Sequence, residues 1–245
     1  MRAVIVIPAR YGSTRFPGKP LVPIAGQSLI RRVYERAAKS QCAAAVYVAT
    51  DDDRILGHVL EFGGKVVCPE GDFQTGTDRI AAAVDLLDGS YDQVVNVQGD
   101  EPLIDVASVD RIIETLQSTT AASPVDMATL ACPLESDEEY QSRDVVKVVT
   151  DLRGDALYFS RAPIPHGSRS LARRHIGLYG YQCSVLRAFA KLSPSPLEQA
   201  ESLEQLRALQ NGFRIRVLET NKPHLGVDRP EDVARVESEL AKLHS

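Results

Sequence analysis

The feature that most constrains the fold is an alternation of short β-branched runs with amphipathic segments along the first half of the chain. The runs AVIVI, AVYVAT, KVV and QVVNV are each followed by apolar residues at helical spacing, over residues 28–39, 52–62, 75–87 and 105–117. This alternation predicts a mostly parallel, Rossmann-like α/β sheet with helices on both faces. In such open sheets, ligands bind outside the carboxyl ends of the strands.

The second half of the chain has a different pattern. The runs MATLACPL, DVVKVVT and ALYFS predict longer antiparallel strands, and HIGLYGYQCS predicts another after a loop over residues 161–174. One helix is expected before FRIRVLE, residues 213–219, and another after it. We therefore predict one α/β domain over residues 1–245, in which roughly 126–190 form a smaller antiparallel lobe.

Composition excludes several classes of protein. The chain is 44% hydrophobic and 25% charged with a formal charge of -5, which is typical of a globular protein and unlike a general nucleic-acid binder. No apolar stretch approaches the roughly 20 residues that span a bilayer, so no membrane insertion is expected. The four cysteines are scattered without a CxxC pair, which favours reduced thiols and a cytoplasmic location.

The first predicted strand runs directly into a basic loop within VIVIPARYGSTRFPGKP. Arg10, Arg15 and Lys19 lie in this loop with two glycines between them. Glycines allow a backbone to approach a phosphate closely, and a guanidinium fork or an ammonium group can bind its oxygens. The alternative is a solvated basic turn.

The same loop resembles the phosphate-binding loop of ATPases but departs from it in two ways. The spacing from Gly12 to Gly18–Lys19 is one residue too long, and Pro20 stands where a magnesium-binding Ser or Thr is required. We therefore reject the ATPase interpretation and retain only an anion-binding loop.

Two carboxylates follow segments that should reach the carboxyl edge of the sheet. Asp100 in QGDEP lies beyond an apolar strand, and Asp105 is the better cap for the next helix. Asp228 in GVDRPED precedes a helix that Pro230 can open, so a capping role competes with metal binding there. Carboxylates near a phosphate site are natural Mg²⁺ ligands.

Other polar positions are ambiguous when taken alone. Arg79 in QTGTDRI is either a solvated charge or a side chain facing the sheet edge, and the adjacent threonines fit helix capping. The acidic segment TDDDR is best explained as a helix start. In the amphipathic helix predicted from PLEQAESLEQLRAL, Glu204, Gln205 and Arg207 are expected to be solvated. No Ser-His-Asp or Cys-His arrangement is indicated.

Taken together, eight ordered segments resemble the 3-deoxy-manno-octulosonate cytidylyltransferase (CMP-Kdo synthetase) family of Gram-negative bacteria. They are IPARYGSTRFPGKPL, VYVATDD, GTDRI, VNVQGDEP, ALYFSRAPIP, RHIGLYGY, PLEQAESLEQLRAL and GVDRPED, and they span essentially the whole chain. The resemblance implies a nucleotidyltransferase fold, a homodimer formed through the smaller lobe, and transfer of CMP from CTP to the acidic eight-carbon sugar Kdo. It also implies Mg²⁺ and a role in lipopolysaccharide synthesis.

The resemblance further implies roles for individual residues. The expected nucleotide contacts are Ala9, Arg10, Ser13, Arg15, Lys19, Arg79 and Gln98. The expected sugar contacts are Arg161, His175, Tyr179, Glu204 and Gln205. Asp100 and Asp228 are the implied Mg²⁺ ligands, and the catalytic set is Arg10, Lys19 and Asp100.

Two departures from the family leave the identity of the sugar more open than the reaction. Phe73 stands where the family commonly has His, and Arg229 follows Asp228 where Thr is common. One alternative is cytidylyl transfer to a related acidic sugar, either 8-amino-Kdo or sialic acid. Enzymes that act on sialic acid usually carry GGSK in the opening motif. The other alternative is a catalytically silent nucleotide-binding regulator. Retention of both Asp100 and Asp228 argues against the silent regulator. No general base is identified.

Overall fold

The run AVIVI lies at the centre of a parallel sheet in the computed structural model of the chain. Its residues are at most 1% exposed, and the strand that contains them pairs in parallel with a neighbour on each side. A strand that is hydrogen-bonded along both edges and covered on both faces needs apolar side chains at every position rather than at alternate ones. This explains why the run is apolar throughout.

The structure describes residues 1–12, 16–73, 75–87, 89–222 and 225–243. The backbone forms two compact units, Met1–Ile113 with His224–Ser245, and Glu114–Pro223. The single domain with a lobe over roughly 126–190 remains the prediction made from sequence. Within the described residues, none of the helices combines the length and the apolar character that crossing a bilayer demands.

The first unit contains the parallel sheet and most of the predicted helices. Its strands are β1 (Ala3–Pro8), the short hairpin strands β2 (Pro23–Ile24) and β3 (Gln27–Ser28), β4 (Ala43–Ala49), β5 (Val66–Val67) and β6 (Gln93–Asn96). In the sheet, β1 lies between β4 and β6, and β5 pairs with β4, all in parallel. The predicted α/β class is confirmed.

The helices of this unit begin where capping side chains predict. They are α1 (Leu29–Ala37), α2 (Asp53–Glu61), α3 (Gly76–Leu86), α4 (Val106–Gln117), within which the unit ends, and a C-terminal helix (Asp232–Leu243). Ser28, Asp52, Thr75 and Asp105 each accept a hydrogen bond from a backbone N–H in the first turn of the helix that follows. Asp105 therefore caps α4, as predicted.

The second unit is built around a mixed set of strands. Its elements are β7 (Met127–Pro133), α5 (Asp137–Gln141), β8 (Lys147–Thr150), β9 (Ala156–Ser160), β10 (Arg173–Gln182), α6 (Cys183–Phe189), α7 (Pro196–Glu201), α8 (Gln205–Gln210) and β11 (Ile215–Glu219). The predicted antiparallel pairing holds for β7 with β10, β10 with β8, and β8 with β9. In contrast, β11 adds to β7 in parallel.

The amphipathic segment PLEQAESLEQLRAL forms two helices rather than one. Ser202 adopts a left-handed conformation with φ of 54° and ends α7, and α8 begins at Gln205. Arg207 is buried, and its guanidinium donates to both carboxylate oxygens of Glu198, at 2.8 and 2.6 Å. The expectation that Arg207 and Gln205 are solvated was therefore wrong, because helical periodicity does not reveal a break or an ion pair between two helices.

The imidazole of His175 on β10 is enclosed by other side chains of the second unit. Its ring centroid lies 5.0 Å from that of Phe159 and 5.3 Å from that of Tyr179. Thr129 Oγ1 donates to the Leu178 carbonyl at 2.9 Å and lies 3.0 Å from Nε2, so the ring donates its Nε2–H to the hydroxyl. Burial lowers the pKa of His175 to about 3, which keeps the imidazole neutral at physiological pH.

This depressed pKa predicts a pH-dependent contribution to stability. In the unfolded chain His175 takes up a proton near its ordinary pKa of 6.5, whereas in the folded protein it does so only near 3. The unfolded state therefore binds more protons in this window, and the free energy of unfolding falls as the pH drops through it, by at most about 1.4 kcal/mol per pH unit. The variant His175→Gln, which keeps a donor but does not titrate, should lack this component.

The measurement is urea unfolding of both proteins at several pH values between about 4 and 7. Subtracting the variant from the parent removes the contribution of the carboxylates, which titrate in both. The difference in unfolding free energy should shrink as the pH falls. A difference that is constant across the range would contradict a neutral, buried His175.

Candidate functional site

A cavity of about 240 Å³ opens in the first unit near the carboxyl ends of β1 and β6. Adjacent parallel strands end at the same edge of a sheet, so the loops after them converge there. The cavity also includes residues of a short 3-10 helix, Lys19–Leu21, and of the start of α3. The lining residues are Pro8, Ala9, Arg10, Lys19, Pro20, Phe73, Thr75, Gly76, Arg79, Gln98, Gly99, Asp100 and Asp228.

A close contact between two backbone segments positions Asp100 at this cavity. A Cβ atom on Gly99 would lie 2.8 Å from the Pro8 carbonyl oxygen, which is closer than such atoms approach. Only glycine allows the segment after β6 to pass this near to the end of β1. Asp100 is the next residue, so the glycine in QGDEP is required for its position.

Lys19 joins the two predicted metal ligands. Its Nζ lies 2.6 Å from Asp100 Oδ2 and 3.9 Å from Asp228 Oδ1. The segment that carries Asp228 is held beside Asp100 by a hydrogen bond from Val227 N–H to the Asp100 carbonyl, at 2.8 Å. The structure thus brings together three of the predicted site residues, which are distant from one another in sequence.

The competing role of Asp228 as a helix cap does not fit its position. The C-terminal helix begins four residues later, at Asp232. The Asp232 carboxylate accepts hydrogen bonds from the N–H groups of Asp228 and Arg229, both at 2.9 Å. Asp232 therefore organises this turn, and the side chain of Asp228 extends to Lys19 instead.

Asp100 and Asp228 fit what Mg²⁺ requires in an enzyme of phosphate esters. Mg²⁺ commonly binds one or two carboxylates together with water and substrate phosphates rather than an all-protein cage. The described part of the chain contains no group of three or more His, Cys, Asp or Glu side chains that could hold a metal by themselves. Metal binding by this pair remains a prediction.

Arg79 presents an unpaired, buried donor in the same cavity. The residue is 7% exposed, its Nη2 donates to Asp51 at 2.9 Å, and its guanidinium stacks on Phe73 at 5.1 Å. Its Nη1 is buried and has no hydrogen-bond partner among the described residues. Leaving such a donor unsatisfied costs about 1–3 kcal/mol, so the group is suited to a ligand oxygen.

Asp51 is a site residue that sequence reasoning missed. The Arg79 guanidinium beside it lowers the pKa of this carboxyl below its usual value, and the pair orients Arg79. TDDDR was interpreted only as a helix start, which Asp52 does provide. The signal that could have identified Asp51 is its position just after β4, at the same edge of the sheet as Asp100.

The basic loop is fixed at its two described ends. The Tyr11 carbonyl accepts from Gly18 N–H at 3.0 Å, and the Arg54 guanidinium lies 3.3 Å above the Tyr11 ring. Gly18 has φ of +70°, and a Cβ there would lie 3.1 Å from the tyrosine hydroxyl, so glycine is favoured on both counts. The predicted contacts Ser13 and Arg15 lie outside the described residues.

The remaining predicted nucleotide contacts also line the cavity. Arg10 is exposed at its mouth. Ala9 donates its N–H to the Ala49 carbonyl at 2.9 Å, so that donor is already used within the sheet. Gln98 donates from Nε2 to Asn96 Oδ1 over a long 3.4 Å.

The predicted sugar contacts all lie in the second unit. His175 and Tyr179 are on β10, Arg161 directly follows β9, and Glu204 and Gln205 are at the start of α8. Burial and the neighbouring Tyr181 and Glu204 raise the pKa of Tyr179 well above its usual value, although Thr129 offsets part of the rise, so the phenol stays protonated. Its buried hydroxyl makes no well-formed hydrogen bond to a described residue, which suits a polar ligand.

Arg161 is largely engaged by backbone carbonyls. Its guanidinium donates to Glu201 at 2.9 Å, to Arg143 at 3.1 Å and to Ser202 at 3.4 Å. A guanidinium has five N–H donors, and three of the five are used by main-chain carbonyls, two of them at the α7–α8 junction. A contact between Arg161 and a sugar carboxylate remains a prediction.

Comparisons with known proteins agree with the resemblance. The family model described as Cytidylyltransferase matches residues 4–216. The 3-deoxy-manno-octulosonate cytidylyltransferase of Syntrophotalea carbinolica is 51% identical over 99% of this chain and 100% of its own length. The protein of the same name from Anaeromyxobacter sp. strain Fw109-5 is 50% identical over 98% of this chain and 97% of its own length.

A solved structure of similar architecture is that of CMP:2-keto-3-deoxy-manno-octonic acid synthetase complexed with CTP. It superposes with a TM-score of 0.92 at 41% identity and covers 99% of both chains. At this coverage the match extends over both units. The chain therefore belongs to the cytidylyltransferase family of nucleotidyltransferases, among the 3-deoxy-manno-octulosonate cytidylyltransferases.

Proposed function

We propose that this chain transfers the cytidylyl group of CTP to 3-deoxy-D-manno-octulosonate (Kdo), which forms CMP-Kdo and pyrophosphate for lipopolysaccharide synthesis. The names of the relatives support the sugar, and the CTP complex of the similar structure supports the nucleotide. The observation that carries the proposal is that Arg79 and Lys19 line the same cavity, and that the buried Nη1 of Arg79 has no hydrogen-bond partner in the described part of the chain. Two fixed cationic groups in one cleft match a polyphosphate.

The reaction is an in-line displacement at phosphorus. The anomeric oxygen of the sugar forms a bond to the α-phosphorus of CTP, the bond from that phosphorus to the bridging oxygen of pyrophosphate breaks, and the proton of the sugar hydroxyl passes to solvent. Charge that develops on the phosphoryl oxygens and on the leaving group must be stabilised, and most of the acceleration comes from positioning and electrostatics. No covalent intermediate with the enzyme is required.

Lys19 and Arg10 would neutralise the triphosphate in this scheme. Lys19 is held at the cavity by its ion pair with Asp100, and Arg10 is exposed at the cavity mouth. When bound by Asp100 and Asp228, Mg²⁺ would polarise the α-phosphoryl group and stabilise the leaving pyrophosphate. The Lys19 ammonium would form ion pairs with the phosphate oxygens.

The second unit would bind the sugar through neutral hydrogen-bonding groups. The imidazole of His175 is uncharged and the Tyr179 phenol is protonated, as their shifted pKa values require. Because its Nε2–H is directed to Thr129, neutral His175 offers Nδ1 as an acceptor, and Tyr179 offers its O–H as a donor; the two together suit the several hydroxyls of an eight-carbon sugar acid. Glu204 and Gln205 would add acceptors and donors from α8.

Two further properties stay predictions. The first is assembly into a homodimer through the second unit, and the second is a cytoplasmic location. Light scattering of the purified protein tests the first, and fractionation of the producing cells tests the second.

The first test of the function is a substrate panel read by pyrophosphate release. CTP with Kdo should give turnover, whereas ATP and GTP should be poorer by several orders of magnitude, because a site fitted to a pyrimidine leaves polar groups unpaired against a purine. Sialic acid and 8-amino-Kdo are included as competing sugars. Faster turnover with either would replace Kdo, and no turnover with any sugar would favour the silent regulator.

The second test concerns the orientation of Arg79. Arg79→Met should raise the KM for CTP about tenfold or more, because it removes a charged donor. Asp51→Asn keeps Arg79 but loosens it, so it should raise the same KM by a smaller factor. Arg31→Met serves as the control, since it removes an exposed ion pair with Glu35 on α1. If all three variants keep the CTP KM of the parent protein, Arg79 does not contact the nucleotide.

The third test concerns the carboxylate pair. Asp100→Asn and Asp228→Asn keep the side-chain shape but remove the charge, so each should lose most activity and shift the Mg²⁺ dependence upward. Unfolding free energies should stay within about 1–2 kcal/mol of the parent. Because both changes disable one metal site, the double variant should be much less impaired than the product of the two single effects.

The matched control for this pair is Asp92→Asn, an exposed carboxylate just before β6 that accepts from the backbone of Arg2. It should leave the Mg²⁺ dependence unchanged. If Asp228→Asn behaves like the control while Asp100→Asn does not, the metal is bound by Asp100 and the substrate without Asp228.

A further inference from the structure

Lys147 on β8 is a fully buried cation, with 0% of its surface exposed. Its ammonium donates three hydrogen bonds, to the carbonyls of Ser142 at 2.7 Å, Val145 at 2.6 Å and Arg161 at 2.6 Å. An ammonium group has three N–H donors and no acceptor, so these three carbonyls satisfy it completely. Each carbonyl belongs to the main chain, which means that Lys147 organises backbone rather than pairing with one acid.

Burial lowers the pKa of Lys147, and the nearby Glu201 opposes that effect. A deprotonated amine would have only two donors for three buried carbonyls, so the hydrogen-bond arrangement requires the charged form. A buried charge is costly unless it is fully hydrogen-bonded. The chain therefore places an expensive group here, where an apolar residue would fill the space without that cost.

The three carbonyls connect separate parts of the second unit. Ser142 and Val145 lie just before β8, whereas Arg161 follows β9 and opens the loop to β10. Glu201 holds Arg161 from the other side, because its carboxylate accepts from the backbone N–H of Arg161 at 2.9 Å and from Ser160 Oγ at 2.6 Å. The backbone of Arg161 is thus fixed at both its N–H and its carbonyl.

The same cluster reaches the other predicted sugar contacts. The Arg161 guanidinium donates to the carbonyls of Glu201 and Ser202, two to three residues before Glu204. The carbonyl of Val146, adjacent to Lys147, accepts from the backbone N–H of His175 at 2.8 Å. The segments that carry Arg161, His175 and Glu204 therefore all attach to the chain around Lys147.

We propose that Lys147 is a positioning residue for the sugar half of the site: its ammonium sets the backbone that presents Arg161, His175 and Glu204 to the sugar acid. This inference rests on the proposed function. Lys147 does not touch substrate in this role, and it has no part in the cavity of the first unit. Its loss should therefore weaken use of the sugar without changing use of CTP.

The experiment compares steady-state kinetics of the full chain with Lys147→Met, measured separately for Kdo and for CTP. Methionine fills a similar volume but supplies no donor, so the three carbonyls lose their partner. The KM for Kdo should rise about tenfold or more, whereas the KM for CTP should change less than about twofold. A general loss of stability alone would lower the concentration of active enzyme and move neither KM.

Arg216→Met is the matched control. Arg216 also makes a partly buried charged contact in the second unit, from Nε to Asp155 at 2.6 Å, but it is not bonded to Arg161. It should lower the melting temperature without changing either KM. Lys147→Gln serves if Lys147→Met does not fold, because the amide keeps two of the three donors and should give a smaller rise in the Kdo KM.

The outcomes separate the two claims. If the wild type turns over Kdo and CTP but the folded Lys147 variants keep a wild-type KM for Kdo, Lys147 is structural only and the inference fails. Equal rises in both KM values would also overturn it. If the wild type releases no pyrophosphate from CTP with Kdo, the proposed function fails and this inference fails with it.

Discussion

The buried central strand β1 is the constraint on which the candidate site depends. Both edges and both faces of this strand are covered, so polar groups can be presented only by the segment that follows its carboxyl end. That segment carries Arg10 and Lys19, which line the cavity. β6 runs beside it in parallel, and the contact between Gly99 and the Pro8 carbonyl brings Asp100 to the same place. The sheet thus turns two separate sequence segments into one cavity wall.

Charge in this protein is balanced differently in its two units. In the cavity, Lys19 is held by two carboxylates and Arg79 by Asp51, and the buried Nη1 of Arg79 has no partner among the residues that the structure describes. In the second unit, Lys147 is saturated by main-chain carbonyls and Arg207 by both oxygens of Glu198. Unsatisfied polar groups indicate ligand binding, whereas saturated ones indicate support of the backbone.

Much of the fold could be predicted because its signals are local. The apolar run of β1 and the capping residues Thr75 and Asp105 each act within a few residues of chain. The break between α7 and α8 was not predictable from periodicity, because the left-handed Ser202 and the Arg207–Glu198 pair depend on packing between the two helices. Asp51 was missed for the same reason, since its partner Arg79 is on another element.

The sequence by itself determined the α/β class, because hydrophobic periodicity is a local property of the chain. It also determined the family, because the order of the motifs is read directly from the sequence, and it singled out the basic loop and the two carboxylates as candidate site residues. Only the tertiary structure decided that Asp228 reaches Lys19 while Asp232 organises its turn, and that Arg161 is held by carbonyls. These outcomes follow from which groups meet across the fold. A side chain's partner depends on distance in space, and spacing in sequence does not encode it.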